Sequence, residues 1–206
     1  MSRKPSADAH QKVLYAALEL IAERGVDGAS MDAIAEASGV SKATIYNHWK
    51  DKDALLLELM AELHGLNSRP RFDTGNTKAD MIDVLAYHPP ENAEKRERLV
   101  PHFVAYSALN QEFGTAWRNL VMEPPRRELT HLIRLGIKKR ELQPKTDNDL
   151  SLALLLGPIL YWHIFLRKSF ADARALGTGV VDAFWRAYGR EGKPVAAPAH
   201  SAPHSD

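Results

Sequence analysis

The stretch Met31–Asp53, MDAIAEASGVSKATIYNHWKDKD, restricts the fold of this chain more than any other segment. Ser30 stands where its hydroxyl can accept an otherwise orphaned N–H and start a short helix. Within that helix Ile34 and Ala35 face a core, and the small Ala35 lets a crossing helix approach closely. Gly39 permits the positive φ that a tight interhelical turn needs. Val40 plugs the corner, and Ser41 is placed to cap a second helix. There Ile45 and Trp49, four residues apart, point inward, which leaves Lys42, Ala43, Thr44, Tyr46, Asn47 and His48 on the other faces. Asp51 can cap a third helix from about Lys52. Two helices joined in this way form a helix-turn-helix.

A Gly turn between helices also occurs in ordinary αα-hairpins, so the flanking chemistry matters. Lys52 would sit at the positively polarised start of the third helix, where a cation is disfavoured. A phosphate shared by Lys52, Tyr46 and nearby backbone N–H groups would give it a role. In a reading helix the N-terminal residues meet base edges while the flanks hold the backbone. Lys42, Thr44, Tyr46, Asn47, His48 and Lys52 are therefore the candidate DNA-binding residues.

Residues 10–57 resemble the DNA-binding domain of the TetR family of transcriptional regulators. The resemblance lies in the helix before Gly25, Ile34-Ala35, Gly39-Val40-Ser41, Thr44-Ile45-Tyr46, His48-Trp49 and Lys52-Asp53-Ala54-Leu55. The family usually has Phe where this chain has Trp49, a change that keeps an aromatic plug. The resemblance implies an all-α homodimer whose N-terminal domain binds palindromic double-stranded operator DNA. It also implies a repressor released by a small-molecule effector, whose identity the sequence does not give.

Charge gives no simple support. The chain carries a formal +1, and residues 1–64 hold 7 Lys+Arg against 10 Asp+Glu. A DNA-binding domain is expected to be basic. The positive charge is nevertheless concentrated where it would be used. Residues 1–12 carry Arg3, Lys4 and Lys12 against Asp8, and residues 40–52 carry Lys42, Lys50 and Lys52 against Asp51. Two copies would still neutralise several phosphates.

The remaining sequence reads as helix throughout. Val13, Leu14, Ala17, Leu18, Ile21 and Ala22 form the apolar stripe of a first helix that Gly25 ends. A bridging helix is expected over Asp53–Asn67, and a loop over Ser68–Asn76. Asn76 or Thr77 would cap a helix to about His88, stopped by Pro89-Pro90. Further helices are expected over Glu91–Gln111, Thr115–Leu142, Asp147–Lys168 and Gly179–Tyr188. Pro101 should kink or break the first of these, and Pro124-Pro125 the second. The expected architecture is an N-terminal three-helix helix-turn-helix domain with its arm (1–52), followed by a C-terminal helical ligand-binding and dimerisation domain (53–189). A Pro/Ala/His-rich tail over 190–206 is expected to be disordered.

Leu150–Leu166, LSLALLLGPILYWHIFL, is apolar on every face. One face can pack on its own subunit, while the other needs a partner. The resemblance implies that this helix and the last one, with Val180, Val181, Phe184, Trp185 and Tyr188, form a four-helix dimer interface. The segment is the nearest approach to a membrane span, but Ser151, Gly157-Pro158 and His163 interrupt it. The N-terminus lacks an apolar signal core. A cytoplasmic protein without a membrane partner is expected.

Cys is absent, and so are Gly-rich phosphate loops, H-E-x-x-H and G-x-S-x-G patterns. No cofactor, metal site or enzymatic activity is expected. Only His200 and His204 are spaced i, i+4, and they lie in the tail rather than on a helix. Phe103, Tyr106 and Trp117 are the candidate effector-pocket residues, although aromatics at helical spacing also serve as plain core. Apart from Glu112 few acids lie beside them, which favours an apolar or weakly polar effector. A helical enzyme or ligand carrier that retains the helix-turn-helix is the alternative, with His102, His131 or His163 as acid–base candidates. A helical protein-interaction module is a third reading.

Overall fold

In a computed structural model the chain is described over residues 5–89 and 93–190, and among these it is all-helical. Arg3, Lys4, Glu91, His200 and His204, with the expected tail from residue 191 onward, lie outside the described residues. Helix α1, Pro5–Gly28, is interrupted at Gly25, whose φ of 73° no helical residue adopts. Helices α2 (Met31–Ser38), α3 (Lys42–His48) and α4 (Lys52–Leu63) follow, each behind its expected cap. Ser30 Oγ accepts from Ala33 N at 3.1 Å, Ser41 Oγ from Thr44 N at 3.2 Å and Asp51 Oδ1 from Ala54 N at 2.8 Å. Gly39 takes the left-handed φ of 67° that the turn demands.

The bridging helix is shorter than expected. It stops at Leu63, because Gly65 adopts φ 58° and the chain tightens into a 3₁₀ turn over Leu66–Ser68. Helix α5, Thr77–Ala86, starts behind Asn76, whose Oδ1 accepts from Ala79 N. Asp80, fully buried, accepts from both the N–H and the hydroxyl of Thr74 and so fixes the preceding loop.

The prolines act differently from one another. Helix α6, Ala93–Leu109, runs unbroken through Pro101. Its Leu99 and Phe103 are anchored in the core, so packing offsets the one hydrogen bond that the ring removes. Between α7 (Gln111–Trp117) and α8 (Glu123–Lys138) the backbone widens into a π-turn over Arg118–Met122, just ahead of Pro124-Pro125. Glu123 N donates to Arg118 O, so the helical path shifts register instead of breaking. Helix α9, Asn148–Leu160, contains Pro158 and ends in a second π-turn over Tyr161–Phe165.

The last helix, α10, is longer than expected, spanning Ala173–Tyr188. Gly177 and Gly179 suggest a later start, but Gly177 serves as a contact point. A Cβ there would stand 3.4 Å from both the Ile82 carbonyl and the Leu85 side chain of α5. The glycine lets the two helices approach closely.

Two buried clusters result. One joins α1–α4 with Leu99 and Phe103 of α6, Phe113 of α7 and Val121. The other joins α5, α8, α9 and α10 around Met81, Leu129, Leu155 and Phe184. The expected division at 52/53 falls inside the first cluster, so the reading helices and the bridge share one core. Replacing Gly177 with Leu should lower stability by about 1–3 kcal/mol, because the α5–α10 contact cannot take the added volume; urea unfolding of the two proteins measures this.

Candidate nucleic-acid interface

Helix α3 is held from below and open above. Ile45 and Trp49 are 1% and 2% exposed, which anchors the helix to the core. Lys42, Tyr46, Asn47 and His48 are exposed on its outer surface and Thr44 is half-buried. Lys42 Nζ lies 2.7 Å from Asp32 Oδ1 of α2, so the neighbouring helix aims its ammonium. Thr44 Oγ1 shares a 2.9 Å hydrogen bond with Ser41 Oγ at the start of the helix.

A cluster that sequence reasoning missed supports the far end. Trp49 Nε1 donates to Glu58 Oε2 at 2.7 Å, and His10 Nε2 lies 2.7 Å from the other oxygen of that carboxylate. The His10 ring lies 4.6 Å from that of Trp49, and the His48 ring is 5.4 Å from both. A buried indole N–H usually finds an acceptor. The one available signal was Trp in place of Phe, and it did not point to Glu58.

Lys52 is turned inward. Its ammonium donates to the Val26 carbonyl at 3.2 Å and lies 5.3 Å above the Tyr106 ring. A carbonyl and a π face thus compensate a cation at a helix start. The structure brings Lys42, Tyr46, Asn47 and His48 to one surface and places Lys52 at the seam between α1, α4 and α6.

The three aromatic candidates lie in the core below that seam. Phe103 is fully buried and stacks at 6.3 Å on Phe113, which Tyr106 meets edge-on at 4.9 Å. The Tyr106 hydroxyl donates to Asp53 Oδ1 at 3.0 Å, and burial followed by that hydrogen bond pushes its pKa up to about 12. Trp117 packs against the same cluster, and its indole N–H has no partner. None of the three lines a described cavity. The cavity within the helical domain, about 100 Å³, lies between the end of α4 and helices α5, α6, α8 and α9. His64, Arg69, Tyr87 and Arg96 provide its polar lining. Buried charge would have been the better sequence signal for it, but charge in a sequence carries no mark of burial.

Histidines 102, 131 and 163 have separate neighbourhoods. His102 lies beside Gly25, His131 is exposed on α8, and His163 is bonded through Nδ1 to the Lys168 carbonyl. Among the described residues no group of His, Asp or Glu could hold a metal ion, and no helix is long and apolar enough to cross a membrane.

Residues 13–59 match the family model described as bacterial regulatory proteins, tetR family, and residues 72–183 match that of the tetracyclin repressor-like C-terminal domain. The chain belongs to the TetR family. This TetR-family chain is a DNA-binding transcriptional regulator. It is 40% identical over 192 residues to the HTH-type transcriptional regulator AcrR of Shigella flexneri, covering 82% of this chain and 86% of that one. It is 35% identical over 113 residues to the DNA-binding transcriptional repressor TetR of Mycobacteroides abscessus, covering 54% and 59% of the two chains. The fold also matches a crystal structure of a TetR-family regulator from Rhodococcus sp., with 20% identity, a TM-score of 0.66 and coverage of 86% and 98%.

His64 of this TetR-family regulator adds a pH dependence. It keeps some accessible surface because it borders the cavity, yet protein surrounds it, and its Nδ1 lies 2.9 Å from the Met60 carbonyl. Burial first, then the positive Arg96, pushes its pKa down from 6.5 to about 3. Between those values the unfolded chain binds a proton that the folded chain refuses, so stability rises with pH across that window. Acidification from pH 7 to pH 5 should therefore destabilise the protein. His64→Asn should flatten that slope in thermal melts, leaving a smaller part from His163, which burial also pushes down.

Proposed function

We propose that the chain acts as a homodimeric repressor that binds a palindromic operator and releases it when a small molecule enters the helical domain. The observation that carries this reading is α3 itself: a capped helix, bolted down by Ile45 and Trp49, with Lys42, Tyr46, Asn47 and His48 facing outward. Repression is favoured by the relative from Mycobacteroides abscessus, which is named a repressor.

The dimer is supported by an apolar surface that one chain leaves open. Leu154, Tyr161, Phe165 and Leu166 are exposed along α9 and its π-turn. A groove of about 700 Å³ runs between α9 and α10, lined by Leu154, Pro158, Trp162, Leu176, Val180 and Ala183 among others. Val181 is instead buried in its own subunit's core, and Phe184, buried there too, reaches the groove only as part of its floor. An exposed apolar patch of this kind marks an interface. Two copies placed back to back would present two α3 helices to successive major grooves, about 34 Å apart.

In this reading Tyr46 holds phosphates, Lys42, Thr44 and Asn47 meet base edges and His48 flanks them, while Lys52, expected on a phosphate, is turned inward onto Val26 and Tyr106 and supports the reader from behind. The reading calls for no cofactor and no enzymatic step, and for a cytoplasmic location. The three candidate acid–base histidines have different neighbours, which weighs against the enzyme alternative.

Two measurements test the proposal. Duplexes selected from a random pool should bind tightly at low salt. Tyr46→Ala should weaken all of them alike, while Lys42→Ala or Asn47→Ala should change the preferred bases by about 1–3 kcal/mol per position. Lys52→Ala should weaken binding and also lower the melting temperature, since its ammonium bridges to Val26. Leu154→Glu and Val180→Glu should give monomers in sedimentation and cost about 100-fold or more in operator affinity; a dimer that persists in both variants sinks the interface.

A further inference from the structure

A carboxylate close to a surface that meets phosphates needs a reason, and Glu58 of α4 is such a group. Its residue is exposed, yet both oxygens are engaged by other helices. One accepts from Trp49 Nε1 at 2.7 Å, at the residue that closes α3. The other lies 2.7 Å from Nε2 of the half-buried His10 on α1. Helices α1, α3 and α4 therefore meet at a single side chain.

The far end of α3 depends on that meeting. The helix has seven residues, and its closing backbone bond runs from Trp49 N to Ile45 O. A helix so short gains little from its own hydrogen bonds and holds its place through what it touches. Ser41 fixes the first turn. At the last turn a Phe ring would fill the space but offer no donor, whereas the Trp49 indole adds a directional tie. His10 completes the support. Its ring lies 4.6 Å from Trp49, tilted by 31°, and meets His48 at 5.4 Å and 75°. His48 is exposed on the outer surface, so whatever holds His10 also limits where His48 can point.

We infer that Glu58 and His10 are positioning residues for DNA reading, which orient Asn47 and His48 through Trp49 and the His10–His48 contact. This rests on the reading of α3 as the element that enters the major groove. Hydrogen bonds to base edges weaken steeply when misaligned, so a helix end free to rock discriminates bases poorly. If Glu58 acted only as a negative charge, it would repel the phosphates of every sequence alike. The two roles differ in sign: removing a positioning group loosens selected base pairs, while removing a bare charge tightens all binding.

Duplex selection by the full chain and by Glu58→Ala, Glu58→Gln and His10→Ala separates them. Position 58 is exposed and Ala is a strong helix former, so these changes at position 58 keep the fold. Glu58→Ala should cut discrimination about tenfold at the base pairs where Asn47→Ala acts, and leave those governed by Lys42 unchanged. Glu58→Gln should restore most of it, because its amide oxygen still accepts the indole N–H. His10→Ala should impair the same base pairs as Glu58→Ala. The Trp49 indole N–H resonance, identified by its loss in Trp49→Phe, should move in Glu58→Ala and stay near its place in Glu58→Gln. Positioning is overturned if both Glu58 variants tighten all duplexes alike, if Glu58→Ala leaves discrimination unchanged, or if the indole resonance does not move. Lys42→Ala and Asn47→Ala acting as expected beside a silent Glu58→Ala would keep α3 as the reader and remove only the positioning role. A chain that selects no duplex would end the reading of α3 and the positioning role together.

Discussion

Helix α4 belongs to two parts of the molecule at once, and most of the arrangement follows from that. Leu55, Leu56, Leu59, Met60 and Leu63 are all buried and share one broad face of the helix, which packs along its whole length. A helix close-packed along that whole face has little room to bend and absorb a local push. It moves as a unit or not at all. Its first turn is held by Asp51, by Lys52 on Val26 and by Asp53 on Tyr106, and its middle by Glu58 on Trp49. Its last turn is tied through Gly65 to Tyr87. The contacts that support α3 and those around Tyr87 therefore hold opposite ends of one element.

This explains why the division at 52/53 has no counterpart in packing. Side chains from α6 and α7 complete the core beneath α3, so Phe103 and Phe113 serve the reading helix as much as the helical domain. A separable reader would have its own core. Here the core on which α3 rests is completed by residues on α6 and α7, far along the chain.

What could be read in the sequence, and what could not, follows one physical line. Caps, the Gly39 turn and the inward Ile45–Trp49 pair depend on neighbours within a few residues, and they lie where local chemistry puts them. Helix ends set by tertiary contact were missed. Gly177 looks like a breaker until α5 packs against it, and the left-handed Gly65 ends α4 at Leu63, short of the expected Asn67. The aromatics carried the least information about their role. Phe103, Tyr106 and Trp117 are large and helically spaced whether they line a pocket or fill a core, and here they pack in the core. Arg69 and Arg96 line the cavity, but a single sequence cannot distinguish a buried arginine from a solvated one.

That difference also bears on how a ligand can act. A small molecule shifts an equilibrium only by its differential affinity for the two states. An apolar guest pressed against Leu156 or Ile159 gains similar contacts in any arrangement that keeps the cavity closed. A charge is more discriminating, because Arg69 is already committed to Glu128 and stacked on Tyr87. Any shift of the chain around Gly65 must loosen one of those contacts, because Tyr87 donates its hydroxyl to the Gly65 carbonyl. A buried ion pair is weak evidence of net stability, although removing one partner alone is costly. Its clearer role is geometric, since it holds Arg69 over the Tyr87 ring, whose hydroxyl closes on the end of α4.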